Sequence, residues 1–230
     1  MGLFALAVAP GIAICLYIYF KDKYNREPRR LLIWSFILGV LCVIPPAIIQ
    51  VSVEKSGLIG NSGSIAGTAI FAYLVVAVSE EFSKFLVLRF YCYPKKAFDD
   101  PFDGIIYAVM VGMGFATIEN VGYVYDNGIV VGLMRLFLSV PAHATFAILM
   151  GYFVGLAKFN SAKSGWYLFL GLFLAIFFHG TYDFCLFAGK TWMNFAGALV
   201  SLIIAMRLSF KAIRKKQELS RIYFESSNLT

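Results

Sequence analysis

The chain has 230 residues, of which 60% are hydrophobic and only 14% charged, and its mean hydropathy is +0.77. Soluble domains run near 45–50% apolar and about 25% charged, and a core of this length cannot absorb such an excess while most of the surface meets water. A water-soluble enzyme is excluded, and a polytopic membrane protein is expected. The net charge of +7 does not point to nucleic acid, because the basic residues lie in short clusters between apolar runs and form no continuous patch.

Seven apolar runs follow one another, at 3–20, 31–53, 64–91, 104–125, 129–157, 165–189 and 191–210. Each suits the about 20 residues that a helix needs to cross the hydrocarbon core. The reading is an all-α helical bundle of about seven transmembrane helices. It forms a single transmembrane domain over 1–210 with a basic tail over 211–230. The first run has no basic residues before it and no A-x-A-like exit, so it reads as a retained helix and not a cleaved signal peptide.

Basic residues set the orientation. Lys21 to Arg30, Arg89 to Lys96, Lys158 with Lys163, and Arg207 to Arg221 put 16 of the 20 Lys and Arg on one side. Lys55 and Lys190 alone fall on the other. This bias places the N-terminus outside and the C-terminus in the cytoplasm. The tail from Lys211 is expected to be a basic helix at the cytoplasmic surface. Arg135 is close to the outer end of its run and reads as snorkelling. The four cysteines (Cys15, Cys42, Cys92, Cys185) have no CxxC spacing and read as small buried apolar residues.

The informative residues are the polar ones inside the runs. Glu80, Glu81 and Lys84 lie in the third, Glu119 and Asn120 in the fourth, His143 in the fifth, and His179 with Asp183 in the sixth. A charge at the bilayer centre costs roughly 2.5–3.5 kcal/mol on insertion scales, so these groups are expected to face one another or a wet cavity. Glu80 and Lys84 are four apart and share a helix face. Glu81 is turned about 100° from Glu80 and points elsewhere. Asp183 is placed to fix the tautomer of His179. Phe115 shares a face with Glu119, which puts a ring beside that carboxylate and desolvates it, as a general base needs. His143 follows Pro141, where a kink frees backbone carbonyls. Glycines 104, 112, 114 and 122 are expected to permit close helix packing.

Carboxylates and imidazoles around a membrane cavity are able to activate water for attack on a carbonyl. There is no GxSxG and no HExxH. A zinc site built from Glu and His of different helices stays open at this point, as do a proton-coupled transporter, whose relays use the same residues, and a non-catalytic membrane receptor or immunity protein. The odd number of runs and the lack of an internal repeat count against the transporter.

The motifs Glu80-Glu81-x-x-Lys84, Phe115-x-x-x-Glu119 and His179-x-x-x-Asp183 resemble those of the PrsW intramembrane proteases, relatives of the CAAX prenyl endopeptidases and bacteriocin-immunity membrane proteins. Ala9-Pro10-Gly11-Ile12-Ala13, Lys21-Asp22-x-Tyr24-x-x-Glu27-Pro28, Phe98-Asp99 and Phe102-Asp103-Gly104-Ile105 extend the likeness over about residues 5 to 210. The resemblance implies a glutamate-dependent peptidase of the bacterial cytoplasmic membrane that needs no metal cofactor. Glu80 or Glu81 would be the base and Glu119 would assist. His143 and His179 would bind water or the oxyanion, and Lys84 and Asp183 would support them. The implied substrate is a single-span membrane protein such as an anti-sigma factor, cut first at site 1 under envelope stress.

Overall fold

The computed structural model describes residues 2–57, 64–189 and 191–227. Helix α1 covers Gly2–Lys21, α2 Arg29–Leu41 and α3 Ile44–Ser56. Pro45 and Pro46 cannot continue α2 but fit the first turn of α3, so the chain bends between the two. The short helix α4, Ile65–Ile70, passes through a π-helical stretch, Phe71–Ala77, into α5, Val78–Val87, and a second π-helical stretch, Leu88–Cys92. Helices α6 (Asp103–Phe137), α7 (Ser139–Phe159), α8 (Ser164–Phe187) and α9 (Trp192–Ser227) complete the bundle. Among the described residues there is no strand.

Among the described residues, six helical stretches are long and apolar enough to span a bilayer. The fourth, Asp103–Phe159, runs to 57 residues, about 85 Å of helix, nearly three times the hydrocarbon thickness. It does not run as one rod. Gly128 takes φ 79°, a left-handed conformation open to glycine, and the backbone breaks again at Leu138. Helices α6 and α7 then lie antiparallel, with Gly104 against Gly151 and Gly112 against Ala147. The six stretches therefore hold the seven expected crossings. The fifth crossing begins at Ser139 and not at 129, because 129–137 forms a short helix of its own between the two breaks. Pro141 falls in the first turn of α7, where its missing N–H is no loss; the expected kink beside His143 is absent.

Helix α6 is the centre of the bundle. Every residue from Asp103 to Thr117 is buried. Gly11 of α1 meets Thr117, Gly39 of α2 meets the Val111 backbone, and Gly114 meets the Phe36 backbone. Without an apolar driving force between helices in lipid, such close approach is what holds them. Gly104, Gly112 and Gly114 serve as expected. Gly122 has no neighbour where a Cβ would stand and plays no such part.

Helix α9 continues unbroken through Ser227. Its last turns are helical, as expected of the tail, but one face docks on the protein. Lys216 is 1% exposed. Gln217 Nε2 donates to the Lys21 carbonyl at 2.6 Å, and Ser220 Oγ donates to Asp100 Oδ2 at 2.7 Å. Beneath this face lie the buried acids Asp22, Glu27, Asp100 and Asp103. Tyr107 donates to Glu27, and the Asp99 and Asp100 amides donate to Asp103 Oδ2 at 2.8 and 2.6 Å. Burial pushes the Asp22 carboxyl up to about 6 and that of Glu27 up to about 7.

Candidate active site

The polar residues singled out within the runs come from four helices and either line one cavity of about 670 Å³ or stand behind it. Gln50 and Glu54 of α3, Thr68 and Phe71, Ser139 and Leu186 with Phe187 line its mouth. All of these lie within two turns of their segment ends, on the side where the N-terminus lies. Glu80, Glu119, His143, His179, Tyr182 and Asp183 line it deeper in.

Helix α5 supplies the floor. Glu80, Glu81 and Lys84 are all buried there, between the two π-helical stretches, a feature often found at functional sites. Lys84 Nζ lies 2.7 Å from Glu81 Oε1 and 3.4 Å from Glu80 Oε2. It also lies 3.3 Å from His143 Nδ1 and 4.0 Å from the centre of the Phe115 ring. One ammonium thus binds both glutamates and an imidazole. Burying it unpaired would cost several kcal/mol. The two glutamates separate as their 100° offset requires. Glu80 lines the cavity, where Gln50 Nε2 donates to its Oε1 at 3.2 Å. Glu81 turns inward to His179 Nδ1 at 2.8 Å.

His179 stands between three carboxylates. Its Nδ1 meets Glu81, and its Nε2 lies 3.1 Å from Asp183 Oδ2 and 3.9 Å from Glu80 Oε2. Asp183 is one helical turn on, as the spacing requires. The ring stacks on Phe146 with centres 5.1 Å apart, and its centre is 5.2 Å from that of His143. An ammonium only donates, so His143 Nδ1 accepts from Lys84 and the ring proton falls to Nε2, which lies 2.9 Å from Glu119 Oε2. Seven predicted side chains from four helices therefore form one continuous network.

The Phe115 ring packs against Lys84 and His143, and Glu119 is paired with an imidazole and a guanidinium. One reading of a single residue is overturned here. The guanidinium is Arg135, which does not snorkel. The Gly128 turn carries the short helix 129–137 back toward the bundle, and Gly132 packs against Leu6 and Val124. Arg135 Nε donates to Asn120 Oδ1 at 2.9 Å, and Nη2 lies 3.2 Å from Glu119 Oε1. Asn120 in turn donates to the Ala7 carbonyl at 2.8 Å, tying α1 to the site. Gln50 and Tyr182 were also missed. Gln50 is the one polar side chain in the stretch from Leu41 to Val51, a signal of the same kind as the others.

Comparison with known proteins gives a consistent answer. The family model described as "PrsW family intramembrane metalloprotease" matches residues 27–209. The chain is 37% identical to a Protease PrsW of Geobacillus kaustophilus, over 94% of this chain and 92% of the relative. It is 36% identical to one from Bacillus subtilis, over 84% and 87%, and 32% identical to one from Clostridioides difficile, over 95% and 91%. No solved structure matches.

The word metalloprotease calls for a test against the donors present. Glu80, Glu81, His143 and His179 are buried and each offers one ligand atom, all within 4.8 Å of one another. Their chemistry suits zinc. Their arrangement does not, because Lys84 Nζ already stands among them and contacts three of the four. Zinc takes His and carboxylate donors at about 2.0–2.2 Å, and it would face a fixed ammonium bound to those same side chains. A metal ion held by all four would have to displace the Lys84 ammonium from Glu80, Glu81 and His143.

Proposed function

Because the chain belongs to the PrsW family of intramembrane proteases, we propose that it hydrolyses a peptide bond of a single-span membrane protein with Glu80 as general base. It is a multi-pass peptidase of bacterial membranes. The observation that carries the reading is the place of Glu80. Its carboxylate faces the cavity, oriented by Gln50 and Lys84, while its neighbour Glu81 is enclosed behind it.

The chemistry follows from these positions. Water entering the cavity gives a proton to Glu80, and the hydroxide adds to the scissile carbonyl carbon. The carbonyl electrons move to oxygen, then return as the C–N bond breaks. The proton held on Glu80 passes to the leaving amine. Glu81 and Asp183 hold His179 beside Glu80, where its ring walls the side of the cavity that the water enters. Lys84 balances the carboxylates and fixes His143, which in turn holds Glu119 at the cavity wall. No step passes through a metal ion.

The substrate class adopted from the family resemblance is a single-span anti-sigma factor cut at site 1. The charge bias supports an outward N-terminus and a cytoplasmic segment 211–230. The cavity mouth lies on the N-terminal side, which suits cleavage of a stalk just outside the membrane. Lys190, counted on that side, lies outside the described residues.

The test is co-expression of the protein with single-span membrane proteins, including anti-sigma factors, followed by mass mapping of fragments from the purified pair. Glu80→Gln is expected to abolish the fragments while the protein accumulates normally. Strong zinc chelators are expected to leave the cleavage rate unchanged. Cleavage surviving in Glu80→Gln sinks the base assignment. Loss of activity on chelation, restored by added zinc, sinks the metal-independent reading.

A further inference from the structure

We propose that Arg135 is a catalytic residue, which donates to the carbonyl oxygen of the scissile bond as it becomes an oxyanion. This rests on the peptidase reading above and assigns a role that the mechanism leaves unfilled. Negative charge forming on that oxygen needs a fixed donor in the cavity. The obvious donors are engaged. His143 has Lys84 on one nitrogen and Glu119 on the other. His179 has Glu81 on one and Asp183 on the other. Lys84 contacts Glu80, Glu81 and His143 and is not among the residues that line the main cavity.

Arg135 is different. Among the described residues it is the only Lys or Arg lining that cavity, with 11% of its side chain exposed. A guanidinium carries five N–H donors in a planar fork. Asn120 takes the Nε donor, and Glu119 stands by Nη2. The guanidinium packs over the Tyr123 ring with its carbon 4.0 Å from the ring centre. The fork is thus held from two sides with donors to spare. A fixed cation of this kind pays no reorganisation when charge appears beside it.

The site is also built and not incidental. The Gly128 turn sends the chain back, so that the apolar face of 129–137 (Ile129, Val130, Leu133, Met134, Phe137) is exposed while Arg135 turns toward Glu119. The helix is a carrier that places one cation over the cavity.

Three measurements test this, on the full-length enzyme in proteoliposomes with a quenched peptide spanning the bond mapped in the co-expression experiment. Arg135→Ala is expected to lower kcat about 10²–10³-fold, the usual loss of an oxyanion donor, with KM changed less than about threefold. Arg135→Lys, which keeps the charge and loses the fork, is expected to fall between, and millimolar guanidinium is expected to restore part of the Arg135→Ala rate. A phosphonamidate analogue of the tetrahedral intermediate is expected to lose affinity in Arg135→Ala by the same factor as kcat/KM. Peptide binding measured in Glu80→Gln is expected to stay unchanged when Arg135→Ala is added. The proposal is overturned if Arg135→Ala turns over at the parental rate. It is also overturned if the analogue keeps its affinity while kcat falls, the mark of a residue acting only through Glu119. Should Arg135→Ala fail to accumulate, Arg135→Lys decides: full rate and full analogue affinity there would overturn the proposal that the guanidinium fork holds the oxyanion. Cleavage persisting in Glu80→Gln would sink the base assignment and leave the Arg135 result standing by itself.

Discussion

Glu80 and Glu81 are adjacent in sequence and opposite in circumstance. Glu80 meets the cavity, while Glu81 is 1% exposed and bound by Lys84 and His179. Replacing each with Gln is expected to give different failures. Glu80→Gln loses turnover and keeps its thermal stability. Glu81→Gln leaves a buried ammonium short of its closest partner, and breaking such a pair costs about 3–5 kcal/mol. A lowered melting temperature in detergent, with poor accumulation, is the expected sign for Glu81→Gln alone; equal melting of the two variants would show the buried pair to be energetically idle. The participants at this scale were largely legible in the sequence, because a carboxylate among Val and Phe in a span has no cheap explanation. Their pairing was less so. Helical spacing relates Glu80 to Lys84 and His179 to Asp183, but says nothing of Glu81 meeting His179 98 residues away. Arg135 misled because an arginine near the end of an apolar run ordinarily reaches for the interface. Only the turn at Gly128 brings it back, and a lone glycine in a run rich in glycine carries no such message.

Among the elements, the α6–α7 contact decides whether the site assembles. Gly112 leaves no room for a Cβ against Ala147, and His143 stands one turn from that contact. Gly112→Val is expected to destabilise the bundle by about 1–3 kcal/mol and to slow cleavage by shifting His143 from Lys84. Gly122→Ala, with open space around it, is expected to be neutral, and melting temperatures compare the two directly. The docked end of α9 offers a pH test. Asp22 and Glu27 hold protons in the folded protein up to about 6 and about 7, against ordinary values of 3.8 and 4.5. Well below pH 3.8 both groups are protonated in the folded and unfolded states and nothing differs. Between those limits the folded state binds more protons than the unfolded, so stability falls as pH rises. The contact of 212–224 with the loops at 21–27 and 99–103 is expected to tighten at pH 5.5 and loosen at pH 8. Slower amide exchange of 212–224 at the lower pH, after correction for intrinsic rates, is the confirming result; the reverse order would refute it. Composition foretold a helical tail, but a polar, basic stretch does not announce a docking face, since the acids that receive it come from two distant loops.

The whole molecule is a seven-crossing bundle whose cavity opens at one end. Hydropathy and charge bias gave the number of crossings, because lipid forces every backbone group to be satisfied within its own helix. They could not give the arrangement, in which α6 is enclosed and α1, α2 and α7 surround it. The outward opening inferred from charge is testable in whole cells. Glu54→Cys, at the cavity mouth, is expected to react with a membrane-impermeant maleimide added outside. Lys163→Cys, at the opposite end, is expected to react only after permeabilisation. The opposite pattern would invert the topology and with it the side on which a substrate is cut.

The floor of that cavity has a bearing on bioenergetics. Behind Glu81 and Lys84 lies a void of about 10 Å³, closed by Leu88, Ala108, Val111 and Met150, which is barely room for one molecule of solvent. A hydrolase in a membrane must admit its second reactant without short-circuiting the proton-motive force. Here the cavity reaches the carboxylates from one face and ends at an ion-paired plug above aliphatic carbons. Vesicles loaded with the enzyme should hold a pH gradient as long as empty ones do, even while peptide bonds are being cut.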